Sequence, residues 1–149
     1  MSLSSDRFTG VNAAVLTPVT DDLIPDDALM LEYSNWLMAN GCDGLAILGT
    51  TGEANCFSLK ERIRIIERLI EGGIPSKSLM PGTGSCALTD AVELTRMAVK
   101  AGCGGVLMLP PFYYKNPSDA GLFRFFSEVI QRVGDSNLQI YLYHFPQMS

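Results

Sequence analysis

The chain has 149 residues, which suits one domain of ~100–150 residues and is too short for a closed eight-stranded (βα) barrel of ~250 residues. Its composition is 47% apolar and 18% charged, which excludes disorder as a description of the whole chain. Eleven basic residues face 16 acidic ones, for a net charge of −5. That balance argues against nucleic acid as a partner, because binding a phosphate backbone needs clustered Lys and Arg.

Strand and helix patterns alternate along the chain. The first strand is expected over Val11 to Val19, ending at Thr17-Pro18. A helix is expected over Asp26 to Asn40, with Leu29, Tyr33, Trp36 and Leu37 at helical spacing and Gly41 as its C-cap. Gly44 to Gly49 is apolar throughout, as a strand covered on both faces should be. After a glycine-flanked turn, Ser58-Leu-Lys-Glu61 has the form of a capping box. The helix it opens carries Leu59, Ile63, Ile66 and Ile70 on one face and ends at Gly72-Gly73. Leu79 to Gly84 reads as a weaker third strand, and Thr89 as the cap of a helix reaching about Ala101, with Leu94 and Ala98 inward. A fourth strand follows over Gly105 to Pro111. Ser118 is expected to cap a fourth helix, with Leu122, Phe126, Val129 and Val133 on one face. Gln139 to Pro146 is the fifth strand. The repeat of roughly 30 residues is the size of a βαβ unit. Two α/β architectures accommodate it: an open doubly wound sheet, or a (βα)8 barrel of which this is the first part.

The N-terminal residues show no apolar leader, and the most apolar run, Val106 to Phe112, is too short to span a bilayer and is broken by prolines. Cys42, Cys56, Cys86 and Cys103 have neither CxxC nor zinc-ligand spacing and read as small buried hydrophobes. A cytoplasmic protein without membrane contact is the expectation.

In both architectures the site lies at the C-terminal ends of the strands. The segments there are Thr17-Pro18, Gly49-Thr-Thr-Gly-Glu53, Gly82-Thr-Gly84, Pro110-Pro-Phe-Tyr-Tyr-Lys115 and Tyr143-His-Phe-Pro146. They offer hydroxyls, glycines and tyrosines and lack a metal-ligating cluster, so neither metal nor cofactor is expected. In Gly49-Thr-Thr-Gly-Glu53 the glycines bring backbone N–H groups close to a ligand. Thr50 and Thr51 add hydroxyl donors, and the set suits a carboxylate. An ordinary βα turn has the same appearance. The segment lacks the endings of a P-loop and of a dinucleotide fingerprint. Tyr143 is placed to pass protons through its phenol or to serve as an amphipathic core residue. His144 is the sole histidine and has no evident partner.

Taken in order, Phe8-Thr-Gly, Thr17-Pro18, Gly49-Thr-Thr-Gly-Glu53, Pro111-Phe-Tyr-Tyr-Lys-Asn-Pro-Ser118 and Leu142-Tyr-His-Phe-Pro146 resemble the dihydrodipicolinate synthase / N-acetylneuraminate lyase family of class I, pyruvate-type aldolases. The resemblance covers nearly the whole chain. It implies a (βα)8 TIM barrel, of which residues 1–149 would be the N-terminal part, about the first five strands. It also implies a homo-oligomer, a dimer or a tetramer built from dimers. The substrates it implies are a 2-oxo acid, typically pyruvate, and an aldehyde. By resemblance, Gly49, Thr50 and Thr51 bind the substrate carboxylate, and Thr50 also belongs to a proton relay. Tyr143 shuttles protons, and Tyr114 reaches into the neighbouring subunit's relay. The Schiff-base lysine implied by the family belongs to the strand after the one carrying Tyr143, beyond Ser149. Lys60, Lys77 and Lys100 fall in or beside helices, and Lys115 matches no known nucleophile. This chain alone is therefore expected to be inactive.

In synthases that make dihydrodipicolinate an arginine usually stands near the position of Met148 and holds the second substrate's carboxylate. Gln147-Met148-Ser149 resembles sialic-acid lyases and sugar-acid aldolases instead. The alternatives are a true 4-hydroxy-tetrahydrodipicolinate synthase and a non-catalytic fragment that binds a small carboxylate.

Overall fold

The computed structural model describes residues 8–147. The leader reading and the comparison at Met148 lie outside them. Strand β1 (Asn12–Ala14) pairs in parallel with β2 (Gly44–Ala46), Ala13 opposite Leu45. Strand β3 (Val106–Met108) pairs in parallel with β4 (Ile140–Leu142), Leu107 opposite Tyr141. The segment 79–83 joins the two pairs. On one side the N–H groups of Met80 and Gly82 donate to Leu45 O and Ile47 O at 2.9 and 2.8 Å. On the other, Thr83 N–H donates to Leu107 O at 2.9 Å and Leu107 N–H to Pro81 O at 3.0 Å. The order across the sheet is therefore β1, β2, segment 79–83, β3, β4, all parallel.

This is the expected order with shorter strands. The expected third strand is a bridge of isolated pairings, because Pro81 has no N–H to give and so interrupts the ladder on its β3 side. The expected first strand pairs over residues 12–15, and the chain then turns, with Val19 bridged antiparallel to Pro25.

Helices α1 (Asp27–Ala39), α2 (Leu59–Glu71), α3 (Leu88–Lys100) and α4 (Asp119–Val133) lie in the connections. Asp26 caps α1 by accepting from Leu29 N–H at 3.0 Å, and Gly41, at φ +99°, follows its last turn. The expected capping box opens α2, with the Ser58 hydroxyl and the Glu61 carboxylate both engaged. Ser118 caps α4 by accepting from Gly121 N–H at 3.2 Å. At α3 the expectation is corrected: Thr89 lies inside the helix, and the cap position is Ala87, which has no side-chain acceptor.

Two of the helix faces are also corrected. On α1 the buried residues are Met30 and Ser34, while Leu29 and Trp36 are 47% and 59% exposed. Apolar residues surround this helix on several sides, so spacing alone cannot choose its buried face. On α2 the buried set is Arg62, Ile65, Ile66 and Leu69, with Leu59, Ile63 and Ile70 half-buried. On α3, Leu94 and Ala98 are buried as expected. On α4, Val129 is buried and Leu122, Phe126 and Val133 are half-buried.

One core cluster joins Val15, Leu45, Ile47 and Leu79 to Met30 of α1 and to Ile65, Ile66 and Leu69 of α2. A second joins Val106 and Met108 to Ala91, Val92 and Ala98 of α3 and Val129 of α4. Alternation along a strand sends the neighbours Leu107, Leu109, Tyr141 and Tyr143 to the opposite face. The arrangement is α/β, with parallel strands in chain order and helices packed on one face. The cysteines differ from expectation. All four are free, and Cys56 and Cys86 are exposed while Cys42 and Cys103 are half-buried. Among the described residues no helix is long and apolar enough to cross a membrane.

Candidate functional site

A small cleft, open to solvent, lies at the C-terminal ends of the strands. Its walls come from four connections. Leu48, Gly49 and Thr50 follow β2, and Gly82 and Gly84 end the bridging segment. Leu107 and Leu109 come from β3 and its end, and Tyr143 follows β4. Ala54, Asn55 and Arg62 close it from the loop and helix beyond the turn.

Tight backbone packing shapes the turn after β2. Leu48 is 1% exposed and sits at φ +54°, in the left-handed region a leucine seldom adopts. Glu53 adopts φ +50° at the far end. Between them Glu53 N–H donates to Thr50 O at 3.1 Å and Ala54 N–H to Gly49 O at 3.2 Å, which closes the turn. The Thr17 hydroxyl donates to Gly52 O at 2.7 Å and anchors the turn to the end of the first strand region. A Cβ on Gly52 would lie 2.8 Å from Val15 O, whereas one on Gly49 would meet only Leu107 Cδ2 at 3.8 Å. Gly52 is therefore required by packing, while Gly49 leaves room at the cleft wall.

Tyr143 is held by its backbone, whose N–H donates to Met108 O at 2.9 Å. Its ring stacks on Phe145, with centroids 5.8 Å apart and planes at 14°. That is the same-face relation expected of residues two apart in a strand. Tyr141, two residues earlier on the same face, sits at the opposite end of the sheet, where its hydroxyl accepts from Phe8 N–H at 2.8 Å.

The structure thus brings together three of the expected residues, Gly49, Thr50 and Tyr143, from distant parts of the chain. Thr51 is exposed and does not line the cleft. Tyr114 is 83% exposed on the loop after β3, in edge contact with Tyr113. His144 is exposed and does not line the cleft. None of Lys60, Lys77, Lys100 and Lys115 lines the cleft.

Sequence reasoning missed Arg62 and Asn55. Arg62 is 5% exposed, and its guanidinium donates to Gly82 O at 2.8 Å and Gly84 O at 3.2 Å. Burial lowers its pKa to about 10, against the opposing attraction of Asp90. A signal for it was present, since residues 62, 65, 66 and 69 fall at i, i+3, i+4 and i+7 and define the buried face of α2. A cation on that stripe must find buried acceptors.

Comparison with known proteins gives a consistent result. The profile of the dihydrodipicolinate synthetase family matches residues 7–149. An uncharacterized DapA-like lyase from Chloroflexus aurantiacus is 38% identical over 94% of this chain and 46% of its own length. The crystal structure of dihydrodipicolinate synthase from Agrobacterium tumefaciens superposes with a TM-score of 0.88 at 34% identity, over 93% of this chain and 48% of that one. YagE, a prophage protein of the dihydrodipicolinic acid synthase family from E. coli K12 solved in complex with pyruvate, gives a TM-score of 0.83 at 32% identity, over 95% and 46%. The chain spans about half the length of these relatives.

Proposed function

The chain belongs to the dihydrodipicolinate synthetase family, and from that premise we propose that residues 1–149 are the N-terminal part of a (βα)8-barrel lyase or aldolase. The whole protein would act on a 2-oxo acid through a Schiff base, splitting or joining pyruvate and an aldehyde. The observation that carries this reading is the convergence of Gly49, Thr50 and Tyr143 on one cleft at the strand ends. The pyruvate complex of the 32% identical relative supports the choice of 2-oxo acid.

The chemistry follows from the groups. A lysine amine condenses with the substrate ketone, releasing water and forming an iminium. The iminium withdraws electrons, so the adjacent carbon can lose a proton or release an aldehyde and later form a new bond. The turn at Gly49–Thr51 would hold the substrate carboxylate through its backbone N–H groups and hydroxyls. Tyr143 would carry protons to and from the ketone oxygen and the aldehyde oxygen, with Thr50 next in the relay. Tyr114, on its exposed loop, would serve the relay of a neighbouring subunit in a dimer or tetramer. The amine itself would come from the strand that follows Tyr143, beyond Ser149.

Sodium borohydride reduction with pyruvate tests the reading. The whole protein should acquire a covalent pyruvate adduct on a lysine outside residues 1–149, and the 149-residue chain alone should acquire none. Absence of an adduct on the whole protein overturns the aldolase reading and leaves a carboxylate-binding fold. Tyr143→Phe in the whole protein should lower kcat by a factor of ~10²–10⁴ while leaving the fold intact. The 34% identical Agrobacterium synthase favours a second reading, condensation of pyruvate with aspartate semialdehyde. Gln147-Met148-Ser149, which stands where those synthases usually carry an arginine near the position of Met148, favours a sugar acid. Pyruvate release from sugar acids, measured against condensation with the semialdehyde, separates the two.

A further inference from the structure

Arg62 is a buried cation with unusual partners. It bonds two backbone carbonyls, Gly82 O at 2.8 Å and Gly84 O at 3.2 Å, and its Nε has no hydrogen-bond partner among the described residues. No carboxylate pairs with it within salt-bridge distance among the described residues; the ion pairs there are made by Arg64, Arg68 and Arg132. An arrangement that leaves a guanidinium buried and un-neutralised costs stability, so the carbonyls it holds need another account.

The carbonyls belong to the strip of backbone that presses on the turn after β2. A Cβ on Gly82 would lie 2.0 Å from Leu48 O and 3.2 Å from Gly49 N, so the two backbones are in direct contact. Gly82 N–H also donates to Ile47 O at 2.8 Å. Leu48, at φ +54°, is the residue under strain. A strained conformation persists only where its surroundings over-determine it. The surroundings here are segment 79–83, and that segment is gripped from behind by Arg62.

We infer that Arg62 is a positioning residue: by holding Gly82 O and Gly84 O it fixes the Leu48–Gly49 turn and so the place of Thr50 at the cleft wall. Both bonds come from the one nitrogen Nη2; a lysine ammonium also has donors for two carbonyls, but on a more flexible stem that holds them less rigidly. The kinetic side of this inference rests on the aldolase reading, and its structural side does not.

The test uses the whole protein with Arg62→Met, Arg62→Lys and, as a control of comparable instability far from the turn, Val129→Ala. Hydrogen exchange is followed by mass spectrometry, without ligand, in peptides spanning residues 47–57 and 79–86. Arg62→Met should speed exchange at least ~5-fold in both peptides, Arg62→Lys should fall between it and the parent, and Val129→Ala should leave both unchanged. In Arg62→Met the KM for pyruvate should rise about tenfold and kcat should fall with it, because Thr50 serves both the carboxylate and the relay. Unchanged exchange over 47–57, or an equal rise in KM in Val129→Ala, overturns the inference. If the parent protein forms no pyruvate adduct, the aldolase reading falls and exchange alone decides the role of Arg62. If Arg62→Met does not fold, Arg62→Lys carries the same comparison.

Discussion

Single residues set the geometry of the cleft through the space they do not occupy. Gly82 and Gly49 make the contrast. A methyl on Gly82 would overlap Leu48 O at 2.0 Å, whereas at Gly49 its nearest neighbour is a leucine methyl at 3.8 Å. Gly82→Ala should therefore destabilise by ~3 kcal/mol or more, since backbone cannot yield as a side chain can, and Gly49→Ala by less than ~1 kcal/mol. Thermal or denaturant unfolding of the two variants checks this. Burial likewise separates the thiols. Burial raises the Cys103 thiol to about 11, so at pH 8 a thiol reagent should label the exposed Cys56 and Cys86 first and Cys103 last. At the start of α2, the Ser58 hydroxyl and backbone N–H hold the Glu61 carboxyl below its ordinary pKa. A depressed carboxylate pKa contributes stability that is present above the unfolded pKa and is lost as pH falls through the folded one. Ser58→Ala should raise the Glu61 pKa in a carbon-detected titration and flatten the acid limb of the stability curve.

At the scale of elements, local chemistry fixed where helices begin and tertiary contact fixed which way they face. Asp26, Ser58 and Ser118 each accept from an N–H two or three residues into the helix, as their sequence positions indicate. Ser118→Ala should cost ~1 kcal/mol, read as a lowered unfolding midpoint. Helix α3 starts at Leu88 without such a cap, so the assignment of Thr89 failed where the sequence offered a capping residue two positions too late. Helix α1 shows the limit of periodicity. Leu29, Met30, Leu31, Trp36 and Leu37 leave several apolar faces, and only packing into the core cluster that holds Val15, Leu45 and Ile66 selects Met30. Met30→Ala should cost ~2–5 kcal/mol, and Trp36→Ala, at 59% exposure, less than ~1 kcal/mol in this chain.

At the scale of the molecule, the sheet has two open edges among the described residues. Val11 and Leu16 on the β1 side are 63% and 55% exposed, and Leu142 on β4 is 68% exposed. Parallel sheets are ordinarily covered on both faces, and an unpaired edge beside exposed apolar residues is a template for association. The 149-residue chain by itself should therefore sediment as concentration-dependent oligomers. A monomer unfolding in one sharp cooperative transition would sink that expectation. The same edges accord with the relatives being about twice as long, and a longer protein that covers Leu16 and Leu142 should run as a discrete species.

The sequence by itself determined the alternation of elements, the parallel order, most helix starts and the family, because these rest on local propensity, capping and motif spacing. Strand ends located the segments that carry Gly49, Thr50, Thr51, Tyr114 and Tyr143, and only the family resemblance marked those residues as candidates for the site. Tertiary structure alone decided that Gly49, Thr50 and Tyr143 meet in one cleft while Thr51 and Tyr114 stand outside its wall. It alone broke the third strand at Pro81 and placed a buried arginine behind the turn. The physical reason is that burial, close backbone approach and carbonyl acceptors for a guanidinium are properties of packing between segments, and no single segment contains them.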